Sequence, residues 1–305
     1  MAYLRALGSY VPARVVDNAE LSGRTGADAA WILESTGMHE RRYAAPQETV
    51  ASMGVAAAHE CLAAAGDAKV GLVLAASGTA ERRFPGPASE IAAQLGLNET
   101  PAIDLPIASA GSLFAVALAA DLCPRYGNVL VVASEIMSRA IGSERETAIL
   151  FGDGAGAVLV SADTGFGRIV DSVLASDGAF TGALSLEHGS TLHMDGRTII
   201  LQASRKMPRA ITELLARNNL KPDEIGTYLL HQANLNLIVR VARTLGQPGH
   251  KFYVNLDRYG NTSSASLLIA AADWRREHLQ TEKPVVLAAF GAGLHWGALL
   301  VSPVI

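Results

Sequence analysis

The sequence predicts an α/β fold built from two copies of one plan. Three observations point there. Strand-like apolar runs alternate with helix-like stretches along the whole chain, the pattern of largely parallel sheets. The order of elements in the first half recurs in the second, and each copy is about 150 residues, near a typical domain size. In each copy a turn of small residues feeds a helix that is apolar on nearly every face, at 113–122 and 266–272. Such a helix has to be buried all round. The two are expected to pack together between two sheets, around a pseudo-twofold axis.

The elements justify this in order. Residues 2–16 read as a strand with a turn at Gly8-Ser9, followed by short helices at 17–22 and 28–34. The Ala-rich stretch 48–65 reads as a long helix and the apolar run 69–76 as a buried strand. Arg82-Arg83-Phe84-Pro85-Gly86-Pro87 is a loop, and 89–95 a helix ending at Gly96. A short strand at 102–105 leads into Ser109-Ala-Gly-Ser112 and the apolar helix. A strand at 128–133 and Phe151-Gly-Asp-Gly-Ala-Gly-Ala-Val-Leu-Val160 close the copy.

The second copy repeats the sequence of events. A strand at 227–230 precedes a helix at 235–245 that ends at Gly246, as the earlier one ends at Gly96. A short strand at 252–256 precedes Tyr259-Gly-Asn-Thr-Ser-Ser-Ala265 and its apolar helix. A strand at 285–289 runs into Phe290-Gly-Ala-Gly-Leu-His-Trp-Gly297, an echo of the 151–160 stretch. The expected division is 1–165 and 166–305, joined by 161–167.

Composition narrows the function. Of 305 residues 50% are hydrophobic and 18% charged, enough apolar material for a deep core. A net charge of −4 argues against wholesale nucleic-acid binding. The two cysteines, Cys61 and Cys123, fit neither metal-ligand spacing nor a disulfide framework, so a reducing cytoplasmic setting is expected, with no metal. No basic segment followed by an apolar one opens the chain, so no signal peptide is expected. The stretch 285–305 lacks Asp, Glu, Lys and Arg, but Gly291, Gly293, Gly297 and Pro303 break it. It reads as a buried hairpin, not a membrane span.

Ser109 is a candidate nucleophile. A side chain at a helix start faces unpaired N–H groups and the positive end of the dipole, which can hold an oxyanion. The plainer reading is that Ser109 or Ser112 caps the helix. His231 follows a strand directly, and Asn261 sits in a small-residue turn. Alone, each reads as structural: a satisfied histidine, and a turn residue that tolerates left-handed dihedrals. The repeat aims both at Ser109, where the three would act as base, hydrogen-bond donor and nucleophile. The glycines 152, 154 and 156 have the wrong spacing for a dinucleotide fingerprint and precede a strand. They read as a tight backbone passage beside the site.

His231-Gln-Ala-Asn234, Gly260-Asn-Thr-Ser263, Phe151-Gly-Asp-Gly-Ala-Gly156 and Phe290-Gly-Ala-Gly-Leu-His-Trp-Gly297 resemble motifs of the β-ketoacyl-acyl-carrier-protein synthase III family of the thiolase superfamily. Trp31-Ile-Leu-Glu-Ser-Thr-Gly-Met38 and Glu40-Arg-Arg42 look like its CoA-binding segment. The resemblance spans essentially the whole chain, with several motifs in the right order. It implies the duplicated five-layer αβαβα thiolase-like fold, a homodimer and a Cys-His-Asn catalytic set. It implies acyl-CoA as donor substrate with no resident cofactor, and a malonyl acyl carrier protein as acceptor.

The resemblance places Ser109 where the family has its nucleophilic Cys, and Ser112 where an aromatic follows. His231 and Asn261 match the family His and Asn. An alcohol is not pre-ionised by a helix start as a thiol is, so Ser109 calls for His231 as general base. Ser109 is then a native serine variant, an engineered replacement of Cys, or the mark of a non-catalytic partner subunit. Acyl transfer to an alcohol or amine is the alternative to condensation. Trp31, Thr36, Arg145 and Asn234 match CoA-binding positions, and Ala292 with Ser109 the oxyanion hole. Phe84 matches a dimer-loop residue that reaches the partner's acyl pocket. Ser35 and Asn236 stand where the family usually has arginines, with Arg205, Lys206 and Arg209 as basic residues on the preceding helix.

Overall fold

The computed structural model describes residues 1–142, 144–279 and 282–304. Its principal strands are β1 (Ala2–Tyr10), β2 (Leu72–Ala76), β3 (Ala102–Leu105), β4 (Asn128–Ile136) and β5 (Asp153–Ser161), then β6 (Gly167–Ser176), β7 (Thr227–Leu230), β8 (Phe252–Tyr253), β9 (Val285–Gly291) and β10 (His295–Pro303). All ten join one mixed sheet in the order β8-β7-β9-β10-β6-β1-β5-β4-β2-β3. Read inward from either edge, the order is the same in both halves. Its pairings match too: β2 runs parallel to β3 and β4, and β7 parallel to β8 and β9. The expected two sheets are continuous at the centre, where β1 pairs antiparallel with β6 through Ala2↔Ile169, Tyr3↔Arg168 and Leu4↔Gly167.

Six main helices cover this sheet: α1 (Val50–Ala65), α2 (Pro87–Gln94), α3 (Gly111–Tyr126), α4 (Gly196–Arg217), α5 (Leu235–Thr244) and α6 (Ser266–Glu277). α1 and α2 bury an outer face of the first half through Val50, Met53, Cys61 and Ile91. α4 and α5 do the same for the second half through Met207, Ile211, Leu214 and Val241. α3 and α6 share one core with strands of both halves, including Leu74, Val131, Leu113, Leu267, Leu287 and Leu299. The layers are therefore helix, half-sheet, helix, half-sheet, helix, the architecture expected. α6 is buried continuously from Ser266 to Trp274. α3 departs from all-round burial at Leu118, which is 39% exposed.

Local signals set the boundaries. Asp17, Asp28 and Thr49 are N-caps whose side chains accept N–H bonds from Glu20, Trp31 and Ser52. Gly26 and Gly37 end the two short helices in left-handed conformations. The glycine-containing run at 285–303 is the expected buried hairpin, β9 paired with β10. Among the described residues no helix is long and apolar enough to cross a membrane. One expectation fails: β1 runs straight through Gly8-Ser9 instead of turning there. Gly8 serves close packing. A Cβ on it would lie 2.3 Å from Ala57 O and 2.4 Å from Cys61 N of α1.

Gly8→Ala should therefore lower the unfolding free energy by about 1–3 kcal/mol, the usual cost of overpacking. Gly23 has nothing within 4 Å of a Cβ and lies inside the Asn18–Thr25 helix. Gly23→Ala should stabilise by about 0.5–1 kcal/mol. Denaturant unfolding of the two variants checks both signs.

Candidate active site

The site forms beyond the carboxyl ends of the parallel strands, as doubly wound sheets place it. β7 ends at Leu230, and the next N–H, of His231, donates to Ala288 O of β9 at 2.8 Å. β3 ends at Leu105, and a short loop delivers Ser109 just ahead of α3. Ser109 adopts φ +63°, a left-handed conformation that costs a non-glycine residue roughly 1–2 kcal/mol. The helix-cap reading of Ser109 and Ser112 does not hold. The residue before α3 is Ala110, and among the described residues no side chain caps the helix, while Ser112 lies inside it with a buried hydroxyl that finds no partner there.

Ser109, His231 and Asn261 line one cavity of ≈ 220 Å³. Its apolar wall includes Leu184, Met194, Ile199, Ile200, Ala203 and Met207, and its polar lining Ser35, Asn234, Asn236 and Arg240. The convergence read from the repeat is thus present in the fold. All three site residues are buried.

The turn before α6 holds them. Asn261 Oδ1 accepts the Ser263 N–H at 2.9 Å, which leaves the Asn261 Nδ2 amide as the end with protons to offer. Ser263 Oγ accepts the Ser109 N–H at 3.0 Å and donates to Glu135 Oε1 at 2.9 Å. Ser264 Oγ donates to Ile107 O at 2.7 Å, fixing the loop that carries Ser109. Ser266 Oγ lies 2.6 Å from His231 Nδ1. Burial pushes the His231 pKa down to about 4, so the ring is neutral at pH 7.

Glu135, at the end of β4, is fully buried. Besides Ser263, it receives Gly78 N–H at 2.9 Å, Thr79 Oγ1 at 2.6 Å, Ser77 Oγ at 3.3 Å and Ser264 N–H at 3.3 Å. Burial pushes its pKa up while these donors hold it down. Behind the cavity wall, Gly152 and Gly260 leave room for other groups. A Cβ at Gly152 would meet Tyr259 O at 2.2 Å, and one at Gly260 would meet Arg41 Cγ at 2.6 Å. The tight passage read from the first glycine motif is thus a backbone crossing directly behind Asn261. Gly291 plays the same part on the other side, where a Cβ would lie 2.1 Å from Ala108 O and 2.6 Å from Ala110 N.

Comparison with known proteins agrees with this geometry. Residues 103–178 match the family model for 3-oxoacyl-[acyl-carrier-protein] synthase III, and residues 215–302 the model for its C-terminal part. A β-ketoacyl-[acyl-carrier-protein] synthase III of Oleidesulfovibrio alaskensis is 37% identical, over 98% of both chains. One of Serratia proteamaculans is 38% identical, over 96% of this chain and 97% of that one. The chain belongs to the 3-oxoacyl-[acyl-carrier-protein] synthase III family.

The crystal structure of the Aquifex aeolicus synthase III superposes with a TM-score of 0.95 at 32% identity, covering 99% of this chain and 100% of that one. The priming β-ketosynthase of the R1128 polyketide pathway gives 0.92 at 32% identity, over 99% and 96%. The curated relatives that match the chain along nearly its whole length carry the name β-ketoacyl-[acyl-carrier-protein] synthase III.

Within the synthase III fold, the sequence-predicted ligand residues fare unevenly. Trp31, 37% exposed, and Arg145 come together, with the guanidinium 4.1 Å from the indole centroid. Thr36 needs correction. It is buried, its hydroxyl donates to Ile32 O at 2.7 Å, and it accepts the Met38 N–H at 3.1 Å, so no face is left for CoA. Arg41 is likewise a buried strut, bound to Ile149 O and to Asn18 Oδ1. Asn234 lines the cavity but uses its amide internally, accepting Asn236 N–H at 2.8 Å and donating to Ser35 O at 2.9 Å. The Ser109 N–H, expected in an oxyanion hole, is engaged by Ser263. Ala292 follows Gly291 in the loop packed on the Ser109 turn. Lys206 pairs with Asp177 at 2.7 Å and lies 4.0 Å from the Trp296 ring centroid, so it is not a free surface cation.

Sequence reading missed Ser263, Ser266, Gly291, Arg240 and Glu135. A lone acid in the apolar run Val131-Val-Ala-Ser-Glu-Ile136 was a readable signal for the last. The others depend on which residues the fold brings together.

The depressed His231 pKa has a measurable sign. Between its ordinary value of 6.5 and about 4 the unfolded chain holds more protons than the folded one. Stability from this group is complete above the upper value and is lost as pH falls toward the lower one. The unfolding free energy of the wild type should therefore drop more steeply from pH 6.5 to 4 than that of His231→Gln. Parallel profiles would show a normally titrating ring.

Proposed function

We propose that this chain takes an acyl group from an acyl-CoA onto Ser109 and condenses it with a malonyl thioester on an acyl carrier protein, releasing CO₂ and a β-ketoacyl product. The supporting observation is the shared cavity of Ser109, His231 and Asn261, held by one turn. Ser109 occupies the position of the family's nucleophilic cysteine. His231 and Asn261 present donors to the carbonyl oxygen that becomes an enolate oxygen when the malonyl group loses CO₂. The exposed Trp31–Arg145 pair supports nucleotide binding at the surface, since an indole and a guanidinium both stack on a base. Arg240, one helical turn beyond Asn236 on the cavity wall, supplies a cation suited to a phosphate or an acidic carrier. The apolar wall accommodates an acyl chain.

The proposal includes a homodimer. β3 is a free sheet edge, with Ile103 48% exposed. The neighbouring loop presents Phe84, 84% exposed, and is tied to β3 where Ala88 N–H donates to Asp104 Oδ1 at 2.8 Å. An unprotected edge with apolar side chains is an association surface. A second reading, acyl transfer to an alcohol or amine, draws support from Ser109 itself, because an oxygen ester is the usual intermediate of simple acyl exchange.

Incubation with a panel of acyl-CoAs should leave an acyl adduct on the Ser109 peptide, read by mass spectrometry. Absence of any adduct at saturating acyl-CoA would favour a non-catalytic subunit. Asn261→Ala should keep the adduct but lose malonyl-CoA decarboxylation by about 100-fold, the usual effect of removing an oxyanion donor. Normal decarboxylation would favour the second reading. Sedimentation at micromolar concentration should show a dimer, and Ile103→Lys a monomer.

A further inference from the structure

Among the described residues, Arg240 is the one side chain of fixed charge that lines the cavity of Ser109, His231 and Asn261. The cavity has a buried end and an exposed one. Ser109, His231 and Asn261 are buried, while Arg240 and Asn236 of α5 and Ile200 of α4 are exposed and mark the mouth. Arg240 lies four residues after Asn236, so the two share one face of α5. The amides at the mouth are already engaged. Asn234 Nδ2 donates to Ser35 O at 2.9 Å, and Asn236 Nδ2 donates to Ser35 O at 3.1 Å and Glu34 O at 3.2 Å. Both satisfy carbonyls at the end of the Ala29–Thr36 helix, which have no partner within it. Among the described residues the Arg240 guanidinium has no ion-pair or hydrogen-bond partner. Lys206, Arg217 and Arg258, in contrast, pair with Asp177, Asp171 and Asp273.

We infer that Arg240 is a specificity-determining residue that binds the phosphate of the pantetheine arm, and so recognises donor and acceptor through the same group. This rests on the condensing reading proposed above, in which the donor is an acyl-CoA and the acceptor a carrier-bound malonyl thioester. Each carries its thioester on a pantetheine arm that ends in a phosphate. With the thioester at Ser109, the arm runs along Ile199, Ala203 and Met207, and its phosphate arrives at the exposed end. A guanidinium meets a phosphate through two parallel N–H bonds, a geometry that an ammonium does not copy. The buried end offers an anion no fixed positive charge among the described residues, so the arm is held in one direction, phosphate outward. Arg240 stands at the far end from the reacting groups. Its contribution is to binding, which is equal in ground and transition states, and its loss raises KM and spares kcat. Arg243, three residues on, is exposed and does not line the cavity, which makes it the control.

Calorimetric titration of the intact protein with 4′-phosphopantetheine and with pantetheine tests this without any chemistry. The wild type should bind the phosphorylated arm about 10-fold more tightly, the scale of a hydrogen bond to a charged group. Arg240→Ala should erase the difference, Arg240→Lys should keep part of it, and Arg243→Ala should keep all of it. Equal affinity for the two arms in the wild type, or an undiminished difference in Arg240→Ala, overturns the inference. So does an equal loss in Arg243→Ala, which would mean a diffuse field and not a contact. In turnover, Arg240→Ala should raise KM about 10-fold for acetyl-CoA and for malonyl carrier protein alike, with kcat unchanged. It should not alter turnover of acetyl-N-acetylcysteamine, a thioester without the phosphate. A rise in KM confined to the carrier protein would assign Arg240 to the carrier's acidic surface and refute the proposal. If wild-type Ser109 never acylates, the condensing reading fails while the titration still decides what Arg240 binds.

Discussion

A carboxylate buried away from water is stable only when donors replace its hydration, because its desolvation costs several kcal/mol. Glu135 meets that requirement with five donors drawn from both halves of the chain. Ser77, Gly78 and Thr79 come from the end of β2, and Ser263 and Ser264 from the turn ahead of α6. The carboxylate is therefore a joint between the two copies of the fold. Its demand for protons also sets the direction of the Ser263 hydroxyl, which must donate to Glu135 and so presents a lone pair to the Ser109 N–H. The left-handed conformation of Ser109 is held by this chain of bonds. Breaking one of these bonds would leave a buried carboxyl group underpaired, which makes the arrangement cooperative.

Small residues let this joint close. Gly156 brings β5 against α6, where a Cβ would meet Leu268 Cβ at 2.5 Å. Gly152, Gly260 and Gly291 bring backbone onto backbone around Asn261 and Ser109. Larger residues at these points would have to push the facing groups away, and hydrogen bonds weaken steeply with displacement. The buried Arg41 completes the support. Its side chain lies under Gly152 and Gly260 and bonds the carbonyl of Ile149, fixing the strand that crosses behind Asn261. The basic pair at 41–42 is structural at its first member.

The plan of the molecule was legible because periodicity and repeats report burial, and burial decides layering. The alternation of strands and helices, the two apolar helices and the strand that leads into His231 all follow from hydrophobic pattern alone. Ser109, His231 and Asn261 could be brought to one cavity by superposing the two copies. What the pattern could not carry is pairing between side chains distant in sequence. Ser266 reads as a helix-start serine until the fold sets it against His231, 35 residues earlier. Thr36 reads as a ligand residue until its hydroxyl is seen bonded within its own helix. Gly8 reads as a turn because glycine signals both conformational freedom and absence of a side chain, and sequence does not separate the two.

The chemistry of the cavity follows from what its groups can do without rearranging. The ring of His231 is kept neutral by burial. Asn261 has its acceptor end occupied by the Ser263 N–H, and its Nδ2 amide has no hydrogen-bond partner among the described residues. A site arranged this way suits negative charge on a substrate oxygen better than removal of a proton, because removal would create a buried imidazolium whose Nδ1 meets, among the described residues, a hydroxyl and no carboxylate. In the proposed acylation Ser109 would gain reactivity from position. Its left-handed backbone precedes the positive end of α3 and sets the residue, buried, in the cavity wall, where fixed dipoles act more strongly than in water. A thiolate would need no more than this. An alcohol gains less from the same surroundings, so the acylation proposed for Ser109 would lean on the leaving thiol, with the two side-chain amide and imidazole groups left to the proposed condensation step.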